Sequence, residues 1–125
     1  KYNIRGWLKS INDKSNLGTD LFAFGINYNT TELGQTNTPL YNGNISETTW
    51  KTANDVSTNT TRGYAYSYDA LNRLTTANMS INTGSGFSVA DGYHENGFNY
   101  DKNGNILSLQ RVGAVDIFDN LTYFY

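Results

Sequence analysis

Large hydrophobic side chains alternate with small or polar ones along several short stretches of this chain. In residues 21–28 the large side chains occupy every second position: Phe22, Phe24, Ile26 and Tyr28. Successive side chains of a β-strand point to opposite faces of the sheet, so a period of two is typical of a strand. The pattern therefore predicts a strand over 21–28 with its aromatic residues on one face.

The same alternation returns further along the chain. It groups Tyr64, Tyr66 and Tyr68 within 64–68, and Ala77, Met79 and Ile81 within 75–81. Residues 106–111 and 121–125 alternate less cleanly, which predicts strands covered on both faces. Helical periodicity is nearly absent, so we predict an all-β fold of antiparallel hairpins with little or no helix. A short helical turn in 30–38 or 88–96 stays open as an alternative.

Polar stretches separate the predicted strands. Three of them are predicted as loops because they are rich in Asn, Asp, Ser, Thr or Gly: residues 13–20, 52–61 and 83–97. The last contains the single histidine of the chain, His94, between Asp91 and Glu95. Those three side chains could form part of a metal or acid–base site, but one loop with one histidine is a weak basis for it. We expect an exposed loop histidine, with no metal and no cofactor.

A tyrosine-led block recurs in the sequence. Residues 66–74 read Tyr-Ser-Tyr-Asp-Ala-Leu-Asn-Arg-Leu, and residues 98–106 read Phe-Asn-Tyr-Asp-Lys-Asn-Gly-Asn-Ile. Asp69 and Asp101 precede residues that tolerate positive φ, namely Asn72 and Gly104. We predict hairpin turns in which each carboxylate accepts backbone N–H groups two residues on. This explains the two aspartates better than a pair of carboxylates for glycoside cleavage.

These blocks resemble the YD repeats of RHS-type proteins, whose pattern is roughly Arg-Tyr-x-Tyr-Asp-x-x-Gly-Arg-Leu. The matching or substituting positions are Tyr66, Tyr68, Asp69, Asn72, Arg73 and Leu74 in the clearest block; Tyr100, Asp101 and Gly104 in the second; Tyr2 and Gly6 in an opening block over 2–8; Tyr41 and Gly43 in a shortened block over 40–45; and Tyr125 at the end. The run is most similar to RHS-repeat proteins of Bacteroidetes. The resemblance covers most of the chain outside the three loops.

The resemblance implies a fold and a role. It implies that residues 1–125 are one YD-repeat β segment, starting and ending in mid-repeat, whose hairpins form a curved or spiralling sheet. Family members are secreted or displayed on the bacterial cell surface, and their shells often enclose a toxic C-terminal cargo. We therefore expect a non-enzymatic scaffold that packs against neighbouring repeats of the parent chain. Its unpaired edge strands are expected to associate edge to edge with another copy.

The aromatic residues allow a second interpretation. Trp7, Trp50 and the tyrosines could form an exposed surface that binds a cell-surface glycan or protein, because aromatic faces stack on sugar rings. Aromatic side chains at alternating strand positions are also what cross-strand packing requires, and we favour cross-strand packing as their role. Arg73 is expected to lie over a neighbouring tyrosine ring.

Charge and composition exclude several classes. The formal net charge is −2 and no lysine or arginine cluster is present, so nucleic-acid binding is not expected. The chain contains no cysteine, which excludes disulfides and thiolate metal sites. No apolar run approaches the roughly 20 residues that a membrane helix needs, so no membrane span is expected in this segment.

Overall fold

The computed structural model describes residues 1–55 and 58–125. Within these residues, nine strands form one antiparallel sheet, and the helical part is a single 3₁₀ turn at Ala53–Asp55. The strands are β1 (Ser10–Ile11), β2 (Phe22–Asn27), β3 (Glu47–Thr52), β4 (Thr61–Tyr68), β5 (Leu74–Asn82), β6 (Phe87–Val89), β7 (Glu95–Tyr100), β8 (Ile106–Val112) and β9 (Ile117–Thr122). The prediction of an all-β fold is confirmed.

The strands follow one another across the sheet in chain order. The order is β1-β2-β3-β4-β5-β7-β8-β9, and β6 pairs with the far end of β5. Each strand is therefore antiparallel to a strand that is close to it in sequence, as expected when hairpin turns determine the pairing. An isolated bridge between Tyr2 and Leu8 adds one further small hairpin before β1.

The predicted strands are largely present. Those over 21–28, 64–68, 75–81 and 106–111 correspond to β2, β4, β5 and β8. The strand β3 was missed, because its sequence Glu-Thr-Thr-Trp-Lys-Thr contains one large apolar residue and no hydrophobic alternation.

Four local predictions need correction. The loop over 83–97 is wrong, since this stretch contains β6 and the start of β7. The loop predicted over 52–61 contains the last residue of β3, the 3₁₀ turn and the first residue of β4, and its positions 56 and 57 lie outside the described residues. Neither 30–38 nor 88–96 is helical. Residues 121–125 are strand only as far as Thr122, and neither this stretch nor 106–111 is covered on both faces, because Tyr125 is 80% and Leu107 37% exposed.

Strand register divides the side chains of β2–β5 between two faces. Gly25, Thr49 and Gly63 lie side by side on one of them, here called the polar face. Phe24 and Trp50 lie on the other, here called the aromatic face. The polar face is the more deeply buried, with the following residues each under 9% exposed: Ala23, Glu47, Thr49, Lys51, Ala65 and Ser80. Alternation was therefore predicted correctly, but the aromatic face is not the deepest part of the core.

The segment between β2 and β3 lies against the polar face. Leu33, which is 2% exposed, packs so closely on β4 that a Cβ at Gly63 would lie 2.9 Å from its Cδ2. The Gln35 amide donates to the Ser80 hydroxyl at 2.7 Å. Glycine at position 63 is required chiefly because a Cβ there would also lie 2.7 Å from the backbone carbonyl oxygen of Thr48 on β3, which cannot move aside as the Leu33 side chain could.

A buried carboxylate holds this covering segment in place. Glu47 is fully buried and accepts four hydrogen bonds, from the backbone N–H groups of Glu32 (2.7 Å) and Leu33 (3.1 Å) and from the side chains of Asn27 (3.0 Å) and Asn37 (3.4 Å). Buried charge is tolerated only when such donors satisfy it. The Glu47 carboxylate therefore ties β2, β3 and the covering segment together.

Candidate functional site

The clearest block closes β4 and β5 with the predicted turn. One carboxylate oxygen of Asp69 accepts the backbone N–H of Leu71 and of Arg73, both at 2.9 Å. The other oxygen accepts from the Arg73 guanidinium at 2.7 Å. Asn72 has φ +62°, so it occupies the left-handed conformation that the sequence predicted for it.

The second block closes β7 and β8 with the same bonds. Asp101 accepts the N–H groups of Asn103 and Asn105, both at 2.8 Å, and the Asn105 side chain at 2.9 Å. Gly104 has φ +88°. Both hairpins also have a bulge at the residue after the turn block. Tyr68 pairs with Leu74 but Ser67 pairs with Thr76, and in the same way Tyr100 pairs with Ile106 but Asn99 with Ser108. These details show that the two blocks adopt one local structure.

Two further blocks reproduce parts of this turn. In the opening block Asn3 stands for the aspartate, and its Oδ1 accepts the N–H groups of Arg5 (3.0 Å) and Trp7 (2.9 Å). Gly6 has φ +76°. In the shortened block the Asn42 Oδ1 accepts the Asn44 N–H at 3.0 Å, and Gly43 between them has φ +99°.

Hydrogen bonding sets the protonation of the turn aspartates. For Asp69, the backbone N–H of Arg73 is the main cause that lowers the pKa below its ordinary value of 3.8. For Asp101, burial raises the pKa, but hydrogen bonds from the Asn105 side chain, and from the Asn105 and Asn103 amides, outweigh that effect and lower it. Both groups are therefore held as carboxylates that accept hydrogen bonds, which is a structural use of the charge.

Tyrosine hydroxyls join each of these turns to the chain that follows it. Four of them donate to the backbone carbonyl of the residue that ends a block: Tyr28 to Leu8 (3.1 Å), Tyr68 to Ile45 (2.9 Å), Tyr100 to Leu74 (2.6 Å) and Tyr125 to Ile106 (3.1 Å). We call these four bonds the tyrosine latches. Burial raises the pKa of Tyr68 and of Tyr100, so both hydroxyls keep the proton that they donate.

A side chain of the preceding turn packs on the ring of two latch tyrosines. The Arg73 guanidinium lies 4.5 Å from the centre of the Tyr100 ring, which confirms the predicted cation–π contact. Trp7, at the corresponding position of the opening block, lies 5.1 Å from Tyr28, ring centre to ring centre. The same position in the turn therefore supports the next latch, by a cation in one block and by an aromatic ring in another.

Neighbouring turns also touch each other directly. The Arg5 guanidinium donates to the Tyr41 carbonyl at 3.4 Å, and the Arg73 guanidinium donates to the Asp101 carbonyl at 3.3 Å. Between them, the Asn42 amide donates to the Asn72 side-chain oxygen at 2.6 Å. Four turns that are far apart in sequence therefore form one continuous row.

His94 is not the exposed loop residue that the sequence predicted. It is half-buried, its Nδ1 accepts the Met79 N–H at 3.0 Å, and its Nε2 donates to the Ala90 carbonyl at 2.7 Å. It lines a cleft of about 260 Å³ with Glu95, but Asp91 does not. Both ring nitrogens are thus occupied by backbone groups, and Glu95 pairs with Arg111 at 3.3 Å.

The two tryptophans lie in different places. Trp7 lines a cleft of about 450 Å³ whose other walls include Tyr2, Arg5, Lys9, Tyr28 and Tyr41. Trp50 lies on the aromatic face and stacks on Tyr64 across β3 and β4 at 5.8 Å. The cross-strand packing predicted for the aromatic residues is therefore seen at Trp50, whereas Trp7 borders a concave surface.

Sequence reasoning missed the latch partners. Tyr28 lies outside every block, and the accepting groups are backbone carbonyls, which carry no sequence signal of their own. The signal that could have revealed them is an apolar residue closing a turn block, followed 19 to 26 residues later by a tyrosine.

Comparison with known proteins gives no match to a family model, to a curated protein or to a solved structure. Over residues 1–55 and 58–125, no helix is long and apolar enough to cross a membrane. In the same residues, no three His, Asp or Glu side chains are grouped so that they could hold a metal ion.

Proposed function

We propose that this chain is a non-enzymatic structural repeat segment of the RHS/YD-repeat type. The observation that carries the proposal is the set of tyrosine latches, because each latch joins one turn block to the chain of the following hairpin. Repeat proteins are stabilised by such nearest-neighbour contacts, since a single hairpin is marginal in water.

The resemblance of the turn blocks to YD repeats supports a wider role for the segment. The segment would add to neighbouring repeats of a longer secreted or cell-surface bacterial protein, forming part of a curved shell or scaffold around a cargo such as a toxin. In the described residues, β9 lies at one end of the strand order and offers an unpaired edge. At the other end the β1 edge is partly covered, because the Lys1 carbonyl accepts the N–H of Ser10 at 3.3 Å and the Lys1 terminal ammonium donates to the Ser10 carbonyl at 2.6 Å. The β9 edge is the surface to which further repeats, or a second copy, would pair.

Hydrogen exchange of the Tyr68→Phe variant tests the repeat organisation. Loss of the bond to Ile45 is expected to accelerate exchange in β3, β4 and β5, while β8 and β9 stay as protected as before, because repeats contact only their neighbours. A uniform acceleration across all strands would instead show one cooperative unit and would contradict the proposal.

A second function is favoured by the cleft at Trp7. Aromatic residues line it, and it also contains the cationic side chains Arg5 and Lys9 without an acidic residue. Aromatic faces with adjacent cations suit glycans that carry carboxylates. A glycan array probes this candidate, with Tyr41→Ala as the binding-site variant and Tyr93→Ala as the control, since both rings are exposed, 73% and 52% respectively. Equal signals from both variants would exclude the cleft.

A further inference from the structure

A buried lysine on the polar face has no acidic partner. Lys51 is only 7% exposed, and its Nζ donates to the Asn59 Oδ1 at 2.7 Å. None of the ion pairs in the described part of the chain includes this ammonium group. The two residues outside the description, Val56 and Ser57, carry no acidic group. A buried charge without a counter-ion is costly, so a partner for Lys51 is expected.

The Lys51 side chain borders an open cleft of about 350 Å³ at the end of the sheet opposite the row of four turns. Its lining consists of Lys14, Ser15, Lys51, Asn59, Thr61, Asn82, Gly84 and Phe87, without a carboxylate. Lys14 is already neutralised, because its Nζ lies 2.7 Å from a carboxylate oxygen of Glu32. The cleft therefore has one uncompensated positive charge.

The two amide side chains of this cleft present their donors. The Asn82 Oδ1 is occupied by the N–H groups of Gly84 (2.7 Å) and Gly86 (3.2 Å). The Asn59 Oδ1 is occupied by the Lys51 ammonium. With the oxygens used in this way, the NH₂ groups of both amides stay available as donors, together with the Thr61 hydroxyl. A concave surface with one net positive charge and these three donor side chains is complementary to an oxyanion.

We propose that this cleft binds a small oxyanion, with Lys51 as its counter-ion and with Asn59, Asn82 and Thr61 as hydrogen-bond donors. The ligand class is defined by its chemistry, a phosphate, sulfate or carboxylate group. This site is separate from the row of four turns and from the Trp7 cleft, so the proposal does not depend on the scaffold role.

Titration followed by NMR tests the site on the full chain. Potassium phosphate, potassium sulfate and potassium acetate are added separately, each against potassium chloride at matched ionic strength. A saturable shift of the Asn59 and Asn82 side-chain NH₂ signals is expected for at least one oxyanion. The comparison of phosphate and sulfate with acetate then shows whether a tetrahedral or a carboxylate group is preferred.

Two lysine variants identify the binding group. Lys51→Met keeps the length of the side chain and removes its charge, so binding is expected to weaken by roughly tenfold or more. Lys102→Met, in the exposed turn of the second block, removes the same charge elsewhere and should bind like the parent protein. Binding by Lys51→Met as tight as that of the parent protein would overturn the proposal, and so would shifts that chloride reproduces.

Asn59→Asp gives an independent measurement that does not require Lys51 to be replaced. The new carboxylate would supply the missing counter-ion at the atom that now accepts from Lys51. Asn59 has φ +51°, a conformation that aspartate also tolerates. We expect a higher melting temperature in chloride and no further increase with phosphate. An increase with phosphate as large as that of the parent protein would refute the site.

Discussion

The Tyr100 hydroxyl permits a sharp test of the tyrosine latches. It donates to the Leu74 carbonyl at 2.6 Å, while its ring lies under the Arg73 guanidinium. Tyr100→Phe removes the hydroxyl and keeps the ring, so the cation–π contact is retained. The variant therefore isolates the hydrogen bond between the two hairpins.

The magnitude follows from the surroundings of this bond. An intramolecular hydrogen bond contributes about 0.5–1.5 kcal/mol net, and the half-buried carbonyl of Leu74 would lose its tyrosine donor. We expect the free energy of unfolding to fall by about 1 kcal/mol, which lowers the melting temperature by on the order of 4 °C for a domain of this size. In urea, the midpoint should move by roughly 0.3–1 M with an unchanged slope.

The matched control is Tyr2→Phe. Tyr2 is 72% exposed, and its hydroxyl forms no hydrogen bond within the described residues, so this variant should unfold like the parent protein. Tryptophan fluorescence in urea measures both variants. If Tyr100→Phe and Tyr2→Phe had the same midpoint, the latch would contribute nothing and the reasoning would fail.

Three further outcomes are expected. Gly104→Val should destabilise the protein by about 1–2 kcal/mol in calorimetry, because φ is +88° there; an unchanged melting temperature would exclude strain at this turn. Leu33→Ala should lower the free energy of unfolding in urea by about 2–5 kcal/mol. Leu71→Ala, at a residue that is 70% exposed, should change it by no more than about 0.5 kcal/mol. Equal effects would show that the covering segment does not pack on the sheet. Stability should decrease as the pH falls below about 3.8, since the folded state lowers the pKa of Asp69 and of Asp101, and this stabilisation is lost as the pH falls through the folded values. The pKa values of Asp13 and Asp55 are lowered as well, so the double variant of Asp69 and Asp101 to Asn should make the decline less steep without abolishing it. An equally steep decline in the double variant would assign the effect to other groups.

The turns could be predicted from sequence because their structure is local. Asp69 and Asn72 are three residues apart, and the carboxylate bonds and the positive φ both follow from residue types within one block. Three of the strands beside these turns, β4, β5 and β8, were predicted from local alternation, whereas the first residues of β7 were predicted as a loop. Arg73 lying over an aromatic ring was also predicted, although the identity of the ring was not.

The latches and the buried face depend on contacts that sequence patterns do not encode. Alternation shows which side chains share a face, but not which face another segment will cover. Here the irregular stretch that contains Leu33 covers part of the polar face and buries Glu47, and Lys51 on the same face is only 7% exposed, whereas the aromatic rings lie on the other face. Polar residues such as these are normally predicted as exposed, so β3 and its surroundings were missed.

The distance in sequence between the two ends of a latch has a practical consequence. The four donors follow their acceptor carbonyls by 20, 23, 26 and 19 residues, so the bond is made across connections of unequal length. We expect a chain built in this way to tolerate changes of loop length at the end of the sheet opposite the row of four turns. The exposed tip at 114–116, between β8 and β9, is accordingly a suitable place to graft a foreign peptide or an epitope tag.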